Sequence, residues 1–340
     1  MLASSLKVMT TTDSGRTSIG GKYRMIWAVM MRTAPQRARI AGQPILYPMT
    51  TAASEQITLV TGATSGIGKV TARELVRQGH HVILLARNAE KAARVRQDFQ
   101  AIARPGQRVD VLLCDLSNLG QVRRAAGEFL QRYDHLDLLI NNAGLLFGKQ
   151  REESADGFEM TLATNYLGPF LLTSLLLPAL EKSPAARIIN VASVAHRFSN
   201  PKLADLNQEH DYNPLWQYGN TKLYNILFTQ ELARQLRERG TDNIVTNSLH
   251  PGAVASGFGS ESGGWLTLMT TLGRPFMIST EQGARTTLFL ATNPVGGQVS
   301  GGYFDKQKAK AVKHDLTAPD KARQLWEQTE EMVGQKFFGK

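Results

Sequence analysis

The chain has 340 residues, 42% hydrophobic and 20% charged, the balance of a globular protein with a core of good size. One cysteine, Cys114, excludes an intrachain disulfide and fits a reducing, cytoplasmic setting. The net charge of +10 is concentrated at one end. Lys7, Arg16, Lys22, Arg24, Arg32, Arg37 and Arg39 against Asp13 leave only +4 beyond residue 54, which argues against a basic nucleic-acid groove.

Residues 1–54 show no clear hydrophobic period. The apolar run "MIWAVMM" (25–31) is too short to span a bilayer, and no small-residue cleavage site follows it cleanly. A poorly structured extension, or a native start at Met49, is the simpler expectation than a targeting segment.

From residue 56 the pattern turns regular. "QITLV" (56–60) predicts a strand, followed by a helix through Val70, Ala72, Leu75 and Val76 that stops at Gly79. Further strands are predicted at "HVILLA" (81–86), "RVDVLLC" (108–114), "LDLLIN" (136–141), "ARIINVAS" (186–193) and "NIVTNSL" (243–249). A weaker seventh lies at "SGGYF" (300–304). Helical patterns at "KAARVRQDFQAI" and "LGQVRRAAGEFLQRY" separate them, and "TAPDKARQLWEQTEEMVG" (317–334) predicts a closing helix. Strands that are apolar without alternation, and that alternate with helices, predict a doubly wound α/β fold. Its seven-stranded, mostly parallel sheet is covered on both faces, and residues 55–340 form one domain.

"TGATSGIG" (61–68) stands between the first strand and the first helix. Gly62 permits a tight turn, while Gly66 and Gly68 let backbone approach a pyrophosphate and let helix pack on strand. The N–H groups of the helix start serve as anion donors. The second strand ends "LLARN", with Arg87 and no carboxylate. A guanidinium suits a ribose 2′-phosphate, so the residues favour NADP(H) over NAD(H). No Cys/His cluster has zinc-ligand spacing, and no metal is expected.

These segments, with "CDL" (114–116), "NNAG" (141–144), Asn165 in "LATNYLGP", Ser193 in "NVAS", "YGNTK" (218–222) and "PG" (251–252), resemble the short-chain dehydrogenase/reductase family in its own motif order. "STEQGA" and "SGGYFDK" are similar to its retinol-dehydrogenase-like branch, which includes WW-domain oxidoreductases. The resemblance implies a catalytic set of Asn165, Ser193, Tyr218 and Lys222, with Asn165 holding a water in a proton relay. It also implies a cofactor lining of Thr64, Ser65, Ile67, Asp115, Leu116, Asn142, Ala143, Gly144, Pro251 and Gly252, beside the three glycines and Arg87. Tyr218 and Lys222 would touch the cofactor as well. Ser256 stands where the family often has threonine.

Tyr218 and Lys222 are four positions apart, so on a helix they share a face. A free phenol titrates near 10. An adjacent ammonium and an oxidised nicotinamide would each favour the phenolate, making Tyr218 the general acid/base. The segment "AVASGFGSESGGWLTLMTTLGRPFMIS" (253–279) is both glycine-rich and apolar. It reads either as a lid over a lipophilic alcohol, aldehyde or ketone, or as helices packed on the core. The richly apolar "LGPFLLTSLLLPAL" (167–180) suggests a second subunit as partner, in a homodimer or homotetramer. The rival to an NADP(H)-dependent oxidoreductase is a catalytically silent NADP(H)-binding sensor or scaffold.

Overall fold

The structure, a computed structural model, describes residues 56–146, 148, 150–254 and 278–339. The extension 1–54, Ser256 and all but the ends of the 253–279 segment lie outside the described residues. Strands and helices alternate in chain order: β1 (Ile57–Thr61), α1 (Gly66–Gln78), β2 (His81–Ala86), α2 (Ala89–Gln100), β3 (Val109–Leu113), α3 (Leu119–Arg132), β4 (Leu138–Asn141), α4 (Gly168–Glu181), β5 (Ala186–Val191), α5 (Pro214–Glu238), β6 (Ile244–His250), α6 (Thr280–Thr292), a short α7 (Pro294–Gln298), β7 (Tyr303–Asp305), β8 (Lys308–Lys310) and α8 (Pro319–Val333).

One eight-stranded sheet runs β3-β2-β1-β4-β5-β6-β7-β8. The first seven strands pair in parallel, and β8 returns antiparallel on β7. The eighth strand corrects the seven-strand expectation. Lys308, Ala309 and Lys310 are all exposed, so no apolar period announces them. The tight return uses Lys306 and Gln307, both with positive φ.

Strand residues divide between two cores by the period of two. Leu59, Ile83, Leu85, Leu139 and Ile188 join α3, α4, α5 and α8 on one face. Val60, Val82, Leu84, Ile140 and Ile189 join α1, α2 and α6 on the other. Chain order reverses between β1 and β4, so their carboxyl ends open a crevice where α/β sheets bind ligands.

The stretch Met160–Glu181 is long and apolar enough to cross a membrane, but 89% of its apolar window is buried inside the protein. Its outer flank is covered by α8 and the residues after it. The Phe170 ring meets Trp326 at 5.0 Å and Phe337 at 5.3 Å, while the Tyr166 hydroxyl bonds Thr329 Oγ1 at 2.9 Å. The apolarity that suggested a second subunit is thus largely satisfied within one chain.

Candidate active site at the carboxyl end of the sheet

The glycine loop leaves β1 in a conformation that side chains resist. Gly62 has φ +66° and Gly66 φ +54°. A Cβ at Gly68 would lie 2.3 Å from the Gly62 carbonyl oxygen and 2.3 Å from Asn142 Nδ2. Ser65 precedes α1 in extended conformation without capping it, and no acidic residue occupies the first turn. First-turn N–H groups with no side-chain cap, above a backbone stripped of Cβ atoms, fit a pyrophosphate.

Thr61, which the sequence reading passed over, ties this loop to the end of β4. Its Oγ1 accepts from the N–H groups of Asn142 and Ala143, both at 2.9 Å. Asn142 answers by donating Nδ2 to the Thr61 carbonyl at 3.0 Å. The Asn142 side chain therefore braces the glycine loop. Asp115 Oδ1 accepts from the Ser117 N–H and hydroxyl at 2.9 and 2.8 Å. Leu116 sends its side chain into the core, and the start of α4 packs on its carbonyl, which a Cβ at Gly168 would meet at 2.2 Å.

Arg87 is exposed in the loop joining β2 to α2. An open groove of about 360 Å³ between α1 and α2 is lined by Thr64, Lys69, Lys91 and Arg94 among others. Lys69 pairs with Asp98 at 3.4 Å and Arg94 with Glu90 at 3.4 Å.

Ser193 follows β5 and starts a 3-10 turn, Val194–Phe198. Tyr218 and Lys222 sit one turn apart on α5. The Ser193 side chain lies near enough to the Tyr218 hydroxyl to act on its acidity. Gly219 makes this approach possible, because a Cβ there would lie 2.8 Å from the Ala195 carbonyl oxygen. Lys222 is buried, donates to the Val191 carbonyl at 3.1 Å, and lies 5.6 Å from the centroid of the Tyr218 ring. It also faces Gly144, where a Cβ would be 2.9 Å from Nζ.

Burial acts on both members of the Tyr218–Lys222 pair. Burial pushes the Tyr218 hydroxyl up to about 12, although the Ser193 side chain pulls it down. Burial also lowers Lys222 to about 8. Desolvation disfavours both charges, and the ammonium donates to the Val191 carbonyl.

Asn165 occupies a π-helical turn, Ala163–Leu167, ahead of α4, a feature that recurs at functional sites. Its amide bonds protein groups through both its oxygen and its nitrogen. Oδ1 accepts from the Leu145 N–H at 2.8 Å, while Nδ2 donates to the Leu145 carbonyl at 2.8 Å and Thr221 Oγ1 at 3.3 Å. The Asn165 carbonyl accepts from Asn225 Nδ2 at 3.1 Å. Asn165 thus fastens the loop after β4 to α5.

Pro251 and Gly252 follow β6 at the same end of the sheet, Gly252 with φ +96°. Val254 and Ile278 form a parallel bridge at the base of the 253–279 segment. The long loop between Ser193 and Tyr218 is anchored to neighbouring elements. Asn207 accepts from the Glu159 N–H at 2.7 Å, Tyr212 donates to Glu159 at 3.3 Å, and Gln328 of α8 donates to the Leu203 carbonyl at 3.1 Å.

The family model described as short chain dehydrogenase matches residues 56–266. Human retinol dehydrogenase 14 is 38% identical over 96% of this chain and 98% of its own length. An uncharacterized protein from Mycobacterium paratuberculosis superposes with a TM-score of 0.66 at 32% identity, covering 84% of this chain and 96% of that one. The 3-ketoacyl-(acyl-carrier-protein) reductase of Brucella melitensis, solved with NADH, shares the fold at a TM-score of 0.57 and 24% identity, over 74% and 96% of the two chains. With glycine loop, serine, tyrosine and lysine gathered at one end of a doubly wound sheet, this chain belongs to the short-chain dehydrogenase/reductase family of oxidoreductases, on its retinol-dehydrogenase-like side.

Proposed function

We propose that the chain is an NADP(H)-dependent oxidoreductase acting on a lipophilic alcohol or carbonyl compound, with Tyr218 as general acid/base. The observation that carries this reading is the gathering of Ser193, Tyr218 and a buried Lys222, 5.6 Å from the Tyr218 ring, at the crevice of the glycine loop. A bound nicotinamide would supply or accept the hydride. The chain's own residues handle the oxygen and its proton. Held protonated by burial, Tyr218 donates its proton to the carbonyl oxygen in reduction. Ser193 donates a hydrogen bond to the same oxygen and orients it. Lys222 keeps a positive charge within reach of the ring at neutral pH, and that charge favours returning the proton in oxidation.

Gly62, Thr64, Ser65, Gly66, Ile67 and Gly68 would hold the pyrophosphate, and Ala143 and Gly144 would flank the nicotinamide side. Arg87, with the basic groove between α1 and α2, supports a 2′-phosphate and therefore NADPH. Retinol dehydrogenase 14 acts, by its name, on retinol. We extend that substrate class, an extended apolar alcohol or aldehyde, to this chain. The buried free thiol of Cys114 suits a cytoplasmic setting.

The test is turnover of all-trans-retinal by the purified chain with NADPH and, in parallel, NADH. NADPH oxidation that depends on retinal supports the reading. Equal use of NADH overturns the role of Arg87. Tight NADPH binding without turnover of retinal or of a panel of lipophilic aldehydes and ketones would favour the silent sensor instead.

A further inference from the structure

The peptide group that follows Ser193 is gripped at both ends by histidine. Its N–H, belonging to Val194, donates to His250 Nδ1 at 3.2 Å. Its C=O, belonging to Ser193, lies 2.7 Å from His196 Nδ1. A carbonyl only accepts and an amide N–H only donates, so the two rings carry opposite roles: His196 holds its proton on Nδ1, while His250 leaves Nδ1 bare and protonates on Nε2.

Both rings are buried, at 6% and 8% exposure, and come from different elements. His196 lies in the 3-10 turn and packs edge-on to Tyr303 of β7 at 5.1 Å. His250 ends β6, opposite Asp305 of β7 in the strand register. A peptide group is planar, so fixing its two polar ends fixes the plane and with it the ψ of Ser193, which stands at 156°. That setting places the Ser193 Cβ, and the Ala195 N–H, donating to Oγ at 3.2 Å, holds the hydroxyl oxygen itself.

We propose that His250 and His196 are positioning residues that hold the Ser193 hydroxyl against Tyr218 by clamping the Ser193–Val194 peptide. The proposal rests on the reading of Ser193 and Tyr218 given above. Neutral rings are what the surroundings impose. Burial lowers both, Arg197 and Lys306 push His250 down further, and Arg197 and His314 do the same to His196. Asp305 pulls His250 the other way without prevailing.

Two measurements test the clamp. Long-range proton–nitrogen NMR of the imidazoles in the full chain reads the tautomers directly and needs no turnover. The expected result is Nε2–H for His250 and Nδ1–H for His196; the reverse assignment at either ring overturns the clamp. The second measurement compares His250→Asn with His250→Leu, and His196→Asn with His196→Leu, in NADPH-dependent reduction of all-trans-retinal. Asparagine keeps an acceptor or donor at the δ position, and leucine keeps only bulk. The leucine variants should lose roughly tenfold or more in kcat with KM and NADPH affinity within about twofold, and the asparagine variants should recover most of the loss. Equal losses in both substitutions, or a loss confined to NADPH affinity, overturn the positioning role. Should the leucine variants fail to fold, the asparagine variants decide: kcat near that of the parent supports the clamp, and a loss of tenfold or more overturns it. An inactive parent chain with the expected tautomers would sink the proposed function and the positioning role while leaving the peptide clamp standing.

Discussion

The Lys222 ammonium lies over the ring of Tyr218, 5.6 Å from its centroid, while donating to the Val191 carbonyl 3.1 Å away. The lysine's charge therefore bears on the phenol across the face of the ring. Its burial has a measurable signature.

Lys222 titrates at about 8 in the folded chain, against 10.5 for the ordinary side chain. Below pH 8 both folded and unfolded forms keep the proton, and the folded state bears the whole desolvation penalty. Between about 8 and 10.5 the unfolded chain holds a proton that the folded chain has released, so stability rises with pH, by on the order of 3 kcal/mol in all. Tyr218 opposes this above about pH 10, because its folded form keeps the proton until about 12. Lys222→Met should remove the rising limb and stabilise the fold at neutral pH by roughly 1–3 kcal/mol, while turnover collapses. Urea unfolding across this pH range, alongside an activity assay, checks both halves.

Tyr218→Phe removes the proton donor and leaves the ring. Turnover should fall by about 10²–10⁴-fold, with NADPH affinity changed less than about twofold. Steady-state kinetics and NADPH fluorescence titration measure the two separately, and near-normal turnover refutes the assignment.

Gly68→Ala and Gly127→Ala should move in opposite directions. A Cβ at 68 would meet backbone at 2.3 Å, which cannot swing aside, so about 1–3 kcal/mol of stability and most NADPH affinity should be lost. A Cβ at 127, inside α3, meets nothing within 4 Å. That change should raise stability by roughly 0.5–1 kcal/mol with kinetics untouched. Thermal unfolding with and without NADPH reads out the pair.

At the opposite end of the sheet Asp110 accepts from His81 Nε2 at 2.7 Å and from the Tyr133 hydroxyl at 2.9 Å. The His81 hydrogen bond chiefly, aided by Tyr133 and opposed by burial, holds its carboxyl down at about 2. A depressed carboxylate contributes stability that is complete above about pH 4 and is lost as pH falls through about 2. Asp110→Asn should cost about 1–2 kcal/mol at neutral pH and flatten this acid limb, leaving turnover unchanged. Acid titrations followed by circular dichroism test it.

Much of this molecule was legible from patterning. The run "HVILLA" coincides with β2, His81–Ala86, because a strand buried on both faces is an uninterrupted apolar block. The glycine loop was equally readable, since each glycine answers a local backbone demand. What stayed hidden depends on partners distant in sequence. Thr61 looks like any strand threonine until its hydroxyl is seen under two N–H groups of the β4 loop, and His250 is a lone histidine without a pattern. The π-helical turn at Asn165 arises from packing against α5, which no local period encodes. The burial acting on Tyr218 and Lys222 was hidden for a related reason: spacing on a helix brings two residues to one face, but says nothing of how much water remains there.

The C-terminal helix has a consequence for how the chain reaches its native state. Thr329 bonds a residue 163 positions earlier, and Arg123 donates to the Val333 carbonyl across 210 positions. The flank of the interior that α8 covers therefore stays open until residues 319–333 have been made, and contacts of such long range make for slow closure. During that interval Phe170 and Phe228 are bare, so a premature stop shortly before residue 319 should leave a polypeptide that chaperones retain or proteases remove, although every group proposed to do chemistry has already been made.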